Sequence, residues 1–463
     1  MGAAPAIAPV LGGTTGQVLI KTLRRIAEGE IDAIEANQSG DSLTSGMRRT
    51  VMKKSDEIVK RQGTRIRFHN KDMDFMFNWF IGLGAVIGLS HGELFNLVDG
   101  MKDGNAGEWR QRFARHGDFL LSRAGSGKNT PAAQDRLAAA FCYRAVLQYS
   151  DPTAESYVKT VEHMKAAFLD GARGLGIPLR AIEVPFEGKT LPGYFLEHDS
   201  TPRPLVLMIG GSDSYREDLF YFAGYPAWHR GYNALMVDLP GQGSTPARGL
   251  TFRANMAAPI SASLDFLAAH AAHPPEKVAI YGVSGGGFMT AQAVASDRRI
   301  GAWIASTPIT DIAEVFRKEM GAGLKAPGWL LRFVLGVKGV VNESAELNLK
   351  KYAWQFGTSD FKSAVEQLFR QARPVDPAAI SCPCLFLVGA SEAGELRRQA
   401  TVLTDDLAGR GVDATLRTFL AEEGGDAHCQ VNNLRLAYNV IFDWLDRVVS
   451  PPPPGVEPRL RAW

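Results

Sequence analysis

Three side chains, far apart along the chain, have the types and the order that nucleophilic acyl chemistry requires: Ser284, Glu392 and His428. A serine hydroxyl is a weak nucleophile until a neighbouring base takes its proton, and the oxyanion that forms needs fixed hydrogen-bond donors. Ser284 stands in Gly282-Val283-Ser284-Gly285-Gly286, within VAIYGVSGGGFMT. That run matches G-x-S-x-G, where a strand ends in a cramped turn and a helix begins. The plainer reading is an ordinary glycine-rich loop between a strand and a helix. In the sharper reading the N–H of Gly285 faces the oxyanion at a helix N-terminus, where negative charge is favoured.

The order serine, acid, histidine is the test that can fail. CPCLFLVGASEAGE reads as a strand that ends in Gly389-Ala390-Ser391-Glu392, which puts Glu392 at the site, with Glu395 on the next turn as the alternative acid. His428 occupies the glycine-rich EEGGDAHCQVNN just before the last long helical segment. The other eight histidines lie in the helical front, on helices or helix ends, or after an early strand, so only His428 satisfies order and location. Its bland alternative is a loop histidine capping a helix.

The remaining oxyanion donor should come from the loop after PLVLMI, where Gly211 and Ser212 can present N–H groups. Asp213 follows them; it is either a carboxylate with a role near the nucleophile or the N-cap of a helix starting near Tyr215. Two glycine-rich stretches are set aside. SRAGSGKNT resembles a phosphate-binding loop, but it has Ser122 in place of the first glycine, Asn129 after the lysine and no preceding strand. VDLPGQGST reads as a plain loop after a strand.

These residues need a scaffold of strands whose ends converge. From about residue 15 to 175 apolar residues recur at helical spacing, as in GQVLIKTLRRIAEGEIDAIEA and DRLAAAFCYRAVLQYS. From about 178 the style changes. LRAIEVPFEGKTLPGYFLE reads as two strands around a turn, and PLVLMIGG, NALMVDLPG, KVAIYGVSG, GAWIAST, PCLFLVGAS and DATLRTFL follow, most separated by helical stretches. This alternation predicts an α/β fold with a mostly parallel sheet and helices on both faces. The organisation expected is a helical domain over 1–175, a first core part over 176–307, a helical cap over 308–375, a second core part over 376–450 and an extended tail over 451–463. The front and the cap would wall a pocket, with Phe75, Trp79, Trp329 and Phe333 as apolar lining or simply as core.

A net charge of +2 gives no reason to expect nucleic acid or an anionic membrane as partner. The basic run RRTVMKKSDEIVKRQGTRIR is mixed with acids and reads as a solvated helix and connector. MGAAPAIAPVLGG lacks a signal-peptide pattern, and MFNWFIGLGAVIGL is too short to span a bilayer. The four cysteines form neither a CxxC pair nor a metal set, so a cytoplasmic location is expected; no metal and no organic cofactor are expected, because activation of the serine by the histidine suffices.

Taken together, GGSDSYREDLFY, VDLPGQG, YGVSGGGFM, the Glu392 strand end and DAHCQVNNL resemble α/β-hydrolases related to 2,6-dihydropseudooxynicotine hydrolase. That group includes the FrsA-like proteins and fungal polyketide-shortening hydrolases. DMDFMFNWFIGLG and HGELFNLVDGMKDGNAGEWRQRF resemble the N-terminal helical segment of the same group, so the resemblance spans roughly residues 70 to 448. It implies the α/β-hydrolase fold, Ser284 as nucleophile, His428 as base and Glu392 as orienting acid. It sets Asp213 at the position of a glutamate implicated in carbon–carbon cleavage, here one methylene shorter. It implies a small-molecule carbonyl substrate, a retro-Claisen type of cleavage, and a homodimer. An esterase or acyltransferase, and a catalytically silent binding protein on the same fold, are the alternatives.

Overall fold

The computed structural model describes residues 59–87, 89–198, 202–320 and 343–449. Trp329, Phe333, the helical spacing before residue 59 and the tail 451–463 lie outside the described residues. Among the described residues five helices come first: α1 (Lys71–Ile87), α2 (His91–Val98), α3 (Ala106–Ala124), α4 (Thr130–Gln148) and α5 (Glu155–Gly174). The sheet begins with β1 (Leu179–Phe186), β2 (Lys189–Leu196) and β3 (Leu205–Ile209). The short helices α6 (Arg216–Leu219) and α7 (Tyr225–His229) lead to β4 (Asn233–Val237). Then follow α8 (Ala257–His270), β5 (Val278–Val283), α9 (Gly286–Ser296), β6 (Ile300–Ser306), α10 (Ile312–Met320), α11 (Glu343–Phe356) and α12 (Phe361–Gln371). β7 (Cys384–Gly389), α13 (Gly394–Gly409), β8 (Ala414–Phe419) and α14 (Leu434–Val448) complete the described residues. All eight strands expected from the apolar runs are present.

The strands order as β1-β2-β4-β3-β5-β6-β7-β8. β1 and β2 pair antiparallel, as do β2 and β4, and every later pairing is parallel. Strand side chains alternate between faces, and β3 shows the result. Val206 and Met208 join one apolar cluster, whereas Leu205, Leu207 and Ile209 join the other. The first cluster runs without a break from the sheet into α1–α5 and α14; the second is covered by α8, α9 and α13. The described helices of the front therefore share their core with one face of the sheet.

A buried ion pair ties the front to the sheet. Arg144 on α4 donates to Asp218 on α6 at 2.8 Å, each side chain 2% exposed, and also to the Asp213 carbonyl. Removing one partner of such a pair strands the other charge. Arg144→Ala is therefore expected to lower the unfolding free energy by about 3–5 kcal/mol, measurable by urea denaturation.

Chain order also fixes where a site forms. β3 leads to β4 on one side, and the chain then crosses back to place β5 on the other. The loops leaving β3 and β5 consequently diverge, and a crevice opens at their carboxyl ends, where α/β sheets place ligands. Those loops carry Gly211, Ser212 and Ser284.

Candidate active site

Ser284 follows β5 directly and has φ +57°, a left-handed conformation unusual for a residue with a side chain. Its N–H bonds to the Ser306 carbonyl at 2.9 Å, and Gly287 N–H turns back to the Ser284 carbonyl at 2.8 Å. The turn is this tight because α9 starts against the sheet. A Cβ on Gly286 would sit 2.5 Å from the Ile209 carbonyl oxygen. Gly211 answers the same constraint from the neighbouring loop, since a Cβ there would come within 2.7 Å of Ser284 Cβ.

Ser284 Oγ lies 2.8 Å from His428 Nε2, and His428 Nδ1 lies 2.9 Å from Glu392 Oε2. Three elements bring these groups together: the β5 turn, the loop after β7 and the segment before α14. Glu392 Oε1 accepts the Gly389 N–H at 2.8 Å, and Thr307 Oγ1 donates to Glu392 Oε2 at 2.8 Å. The alternative acid, Glu395, pairs with Arg398 at 2.6 Å. Burial alone would push the His428 imidazole down. The Cys429 sulfur and the Glu392 carboxylate outweigh that, and the net direction is up from its ordinary value.

Gly285 is the N-cap residue of α9, and a Cβ on it would lie 3.6 Å from Ser212 N. The N–H groups of Ser212 and Gly285 thus border one small space beside Ser284. Gly211 differs from the expectation: its N–H is already taken by Ser214 Oγ at 3.1 Å. Of the two candidate donors in that loop, Ser212 is the open one.

Asp213 is not a helix cap. The residue before α6 is Tyr215, whose N–H goes to Asp218 at 2.9 Å. The Asp213 carboxylate instead meets Lys351 Nζ at 3.0 Å and Arg61 Nη1 at 3.9 Å. Burial pushes its pKa up, but Lys351 and then Arg61 pull it further down, so the group stays ionised.

Phe75 and Trp79 are both buried on α1. The Phe75 ring is 6.2 Å from the His428 ring and 6.3 Å from Trp79, whose Nε1 has no partner among the described residues. Phe75 therefore stands at the site, and Trp79 behind it.

Several site residues carry no motif. Arg61 belongs to the basic run expected to be a solvated helix and connector, yet residues 59–70 are not helical. The buried Asp74 carboxylate collects the N–H groups of Ile66, Arg67 and Phe68 at 2.9, 2.6 and 2.7 Å, and so folds that segment onto α1. The Arg61 guanidinium then stacks 4.1 Å over Phe75, and its carbonyl accepts the His428 N–H at 2.6 Å. On α11, Asn348, Lys351, Tyr352 and Gln355 share one helix face. They reach Asp72 (2.5 Å), Asp213 (3.0 Å), Ser212 Oγ (3.3 Å) and the Ser212 carbonyl (2.5 Å). That face was the available signal: four polar residues at helical spacing in ESAELNLKKYAWQF. Among the described residues, no His, Cys, Asp or Glu group is arranged to hold a metal ion, and no helix is long and apolar enough to cross a membrane.

Comparison with known proteins agrees with this architecture. Residues 86–310 match the model of the esterase FrsA-like family. The hydrolase LUC6 of a Fusarium species is 26% identical, over 82% of this chain and 97% of its own. The 20-hydroxy-prefusarin hydrolase FUS2 of Gibberella moniliformis is 27% identical, over the same shares of 82% and 97%. The crystal structure of 2,6-dihydroxy-pseudo-oxynicotine hydrolase superposes with a TM-score of 0.58 at 18% identity, covering 80% of this chain and 96% of that one. By its fold and these likenesses the chain is a hydrolase with the α/β-hydrolase fold, similar through its middle to the FrsA-like esterases.

Proposed function

We propose that the chain hydrolyses a small-molecule carbonyl compound through a covalent acyl-serine, with Ser284 as nucleophile, His428 as base and Glu392 as the acid that orients it. The reading rests on one observation, the unbroken hydrogen-bond chain from Ser284 Oγ through both nitrogens of His428 to Glu392. As Ser284 Oγ bonds to the carbonyl carbon, His428 Nε2 takes the hydroxyl proton, and the N–H groups of Ser212 and Gly285 receive the oxyanion. When the tetrahedral adduct collapses, the bond to the leaving group breaks with its electron pair. His428 returns the proton to that group and then activates water to release the acid.

The preferred leaving group is a carbanion stabilised by a second carbonyl or an aromatic ring, which makes the reaction a carbon–carbon cleavage. Support comes from the resemblance carried by the sequence motifs and from the ionised Asp213 beside the oxyanion loop. The match to an esterase family model favours a second reading, with an alkoxide as leaving group. A panel of β-diketones, aryl ketones and p-nitrophenyl esters separates the two, and ester turnover with no ketone cleavage removes the first. Asp213→Asn is expected to lower ketone cleavage about 10²- to 10⁴-fold, a typical acid–base contribution, while ester turnover changes far less. Equal effects on both would assign Asp213 to structure.

The base must be neutral to accept a proton, and the folded protein holds His428 above its ordinary value of 6.5. Activity should accordingly fall as pH drops through that raised value. The acid limb of kcat/KM is expected above pH 6.5, and a limb below it would mean that Cys429 and Glu392 do not together hold the imidazolium.

A further inference from the structure

The loop VDLPGQG after β4 reads in sequence as a plain connector, but it sends one side chain into the site. Gln242 is 1% exposed. Its Nε2 donates to the carbonyl oxygens of Gly210 and Gly211, the latter at 3.1 Å. Its Oε1 accepts the Leu239 N–H at 2.9 Å. That last bond sets the amide's orientation, since a flip would turn its oxygen toward two carbonyls and its NH2 toward a donor.

The contact to the Gly211 carbonyl matters most. The described backbone contains no cis peptide, and in a trans peptide the C=O and N–H point in opposite directions. Holding the Gly211 carbonyl toward Gln242 aims the Ser212 N–H the other way. On that side lie Ser284 Oγ, 3.1 Å from where a Gly211 Cβ would stand, and Gly285, whose own Cβ would lie 3.6 Å from Ser212 N. Gln355 Nε2 fixes the next peptide through the Ser212 carbonyl at 2.5 Å.

We propose that Gln242 is a positioning residue for the oxyanion, acting by locking the Gly211–Ser212 peptide with its N–H toward the tetrahedral adduct on Ser284. This rests on the acyl-serine reading above. It requires no substrate contact from Gln242 itself, and it accounts for an uncharged donor buried under the loop.

The test uses the full-length protein and an alkyl fluorophosphonate, whose phosphoryl oxygen occupies the oxyanion position once Ser284 is labelled. Gln242→Met and Gln242→Asn are compared with wild type. The amount labelled reports the folded fraction, so a partly unfolded variant still yields a rate per active molecule. The expected result is a fall in kinact of about 10- to 100-fold, part of the effect of losing one oxyanion donor, with KI within about threefold. A purely structural role would lower the melting temperature and the amount labelled while leaving kinact unchanged, and unchanged kinact in the folded variants overturns the proposal. If wild type is not labelled, or Ser284→Ala still is, the acyl-serine reading fails and takes this one with it. Loss of labelling in Ser284→Ala together with wild-type kinact in the Gln242 variants overturns this one alone.

Discussion

Substituting His428 by alanine should reduce turnover by roughly 10⁶-fold, and Ser284→Ala should do the same. The double variant should be no worse than either single one, because the two residues act as a unit. His428 Nε2 stands 2.8 Å from Ser284 Oγ, so without the imidazole the hydroxyl must attack with its proton in place. Without the hydroxyl, the imidazole has nothing to deprotonate except water. What survives is the contribution of the oxyanion donors and of binding, about 10³–10⁴ over water. Steady-state kinetics of the two single variants and the double on the best substrate of the panel checks this. Multiplying losses would mean that the two side chains serve separate steps, and the acyl-serine reading would fall.

The residues proposed for this relay were legible because each is tied to a local pattern. A strand running into G-x-S-x-G announces Ser284, and the end of the next-to-last strand announces Glu392. A glycine-rich loop before the final helix announces His428. The sheet was legible for the same reason, since eight short apolar runs bounded by turn residues became its eight strands. Residues whose placement depends on long-range packing left no such trace. Lys350 and Lys351 are adjacent and identical, yet one is half-exposed beside Asp151 and the other is buried against Asp213. Only the phase of α11 separates them, and it becomes informative once Asn348, Tyr352 and Gln355 are seen on the same side. Arg61 was hidden differently. Its basic neighbours suggest a solvated run, and the carboxylate that folds the segment inward, Asp74, lies on the following helix. Thr307 has φ +74°, which no residue pattern announces. Asp213 looked like a cap because short acids before helices usually are; here the helix starts two residues later and two cations claim the carboxylate.

Glu392→Gln should lower kcat by about 10⁴-fold with little change in KM, a loss of the size seen when a triad acid becomes an amide. The argument turns on which way the new amide must face. Gly389 N–H donates to Oε1 of the present carboxylate at 2.8 Å, and this buried donor needs an acceptor. The new carbonyl oxygen must therefore occupy that place, which leaves the NH2 where Oε2 now accepts from both Thr307 and His428. Facing a donor, His428 Nδ1 has to become an acceptor, and the ring proton moves to Nε2. The nitrogen that should take the Ser284 proton then already carries one. Thr307 Oγ1 cannot restore the old arrangement, because its contact to Nδ1 is 3.3 Å and its own proton has lost its acceptor. The acid limb of the pH profile should also move down, since the carboxylate that helps hold the imidazolium is gone. NMR of the ring nitrogens distinguishes the tautomers directly. A Glu392→Gln variant with the Nδ1–H tautomer and wild-type kcat would show that the acid only packs against the ring.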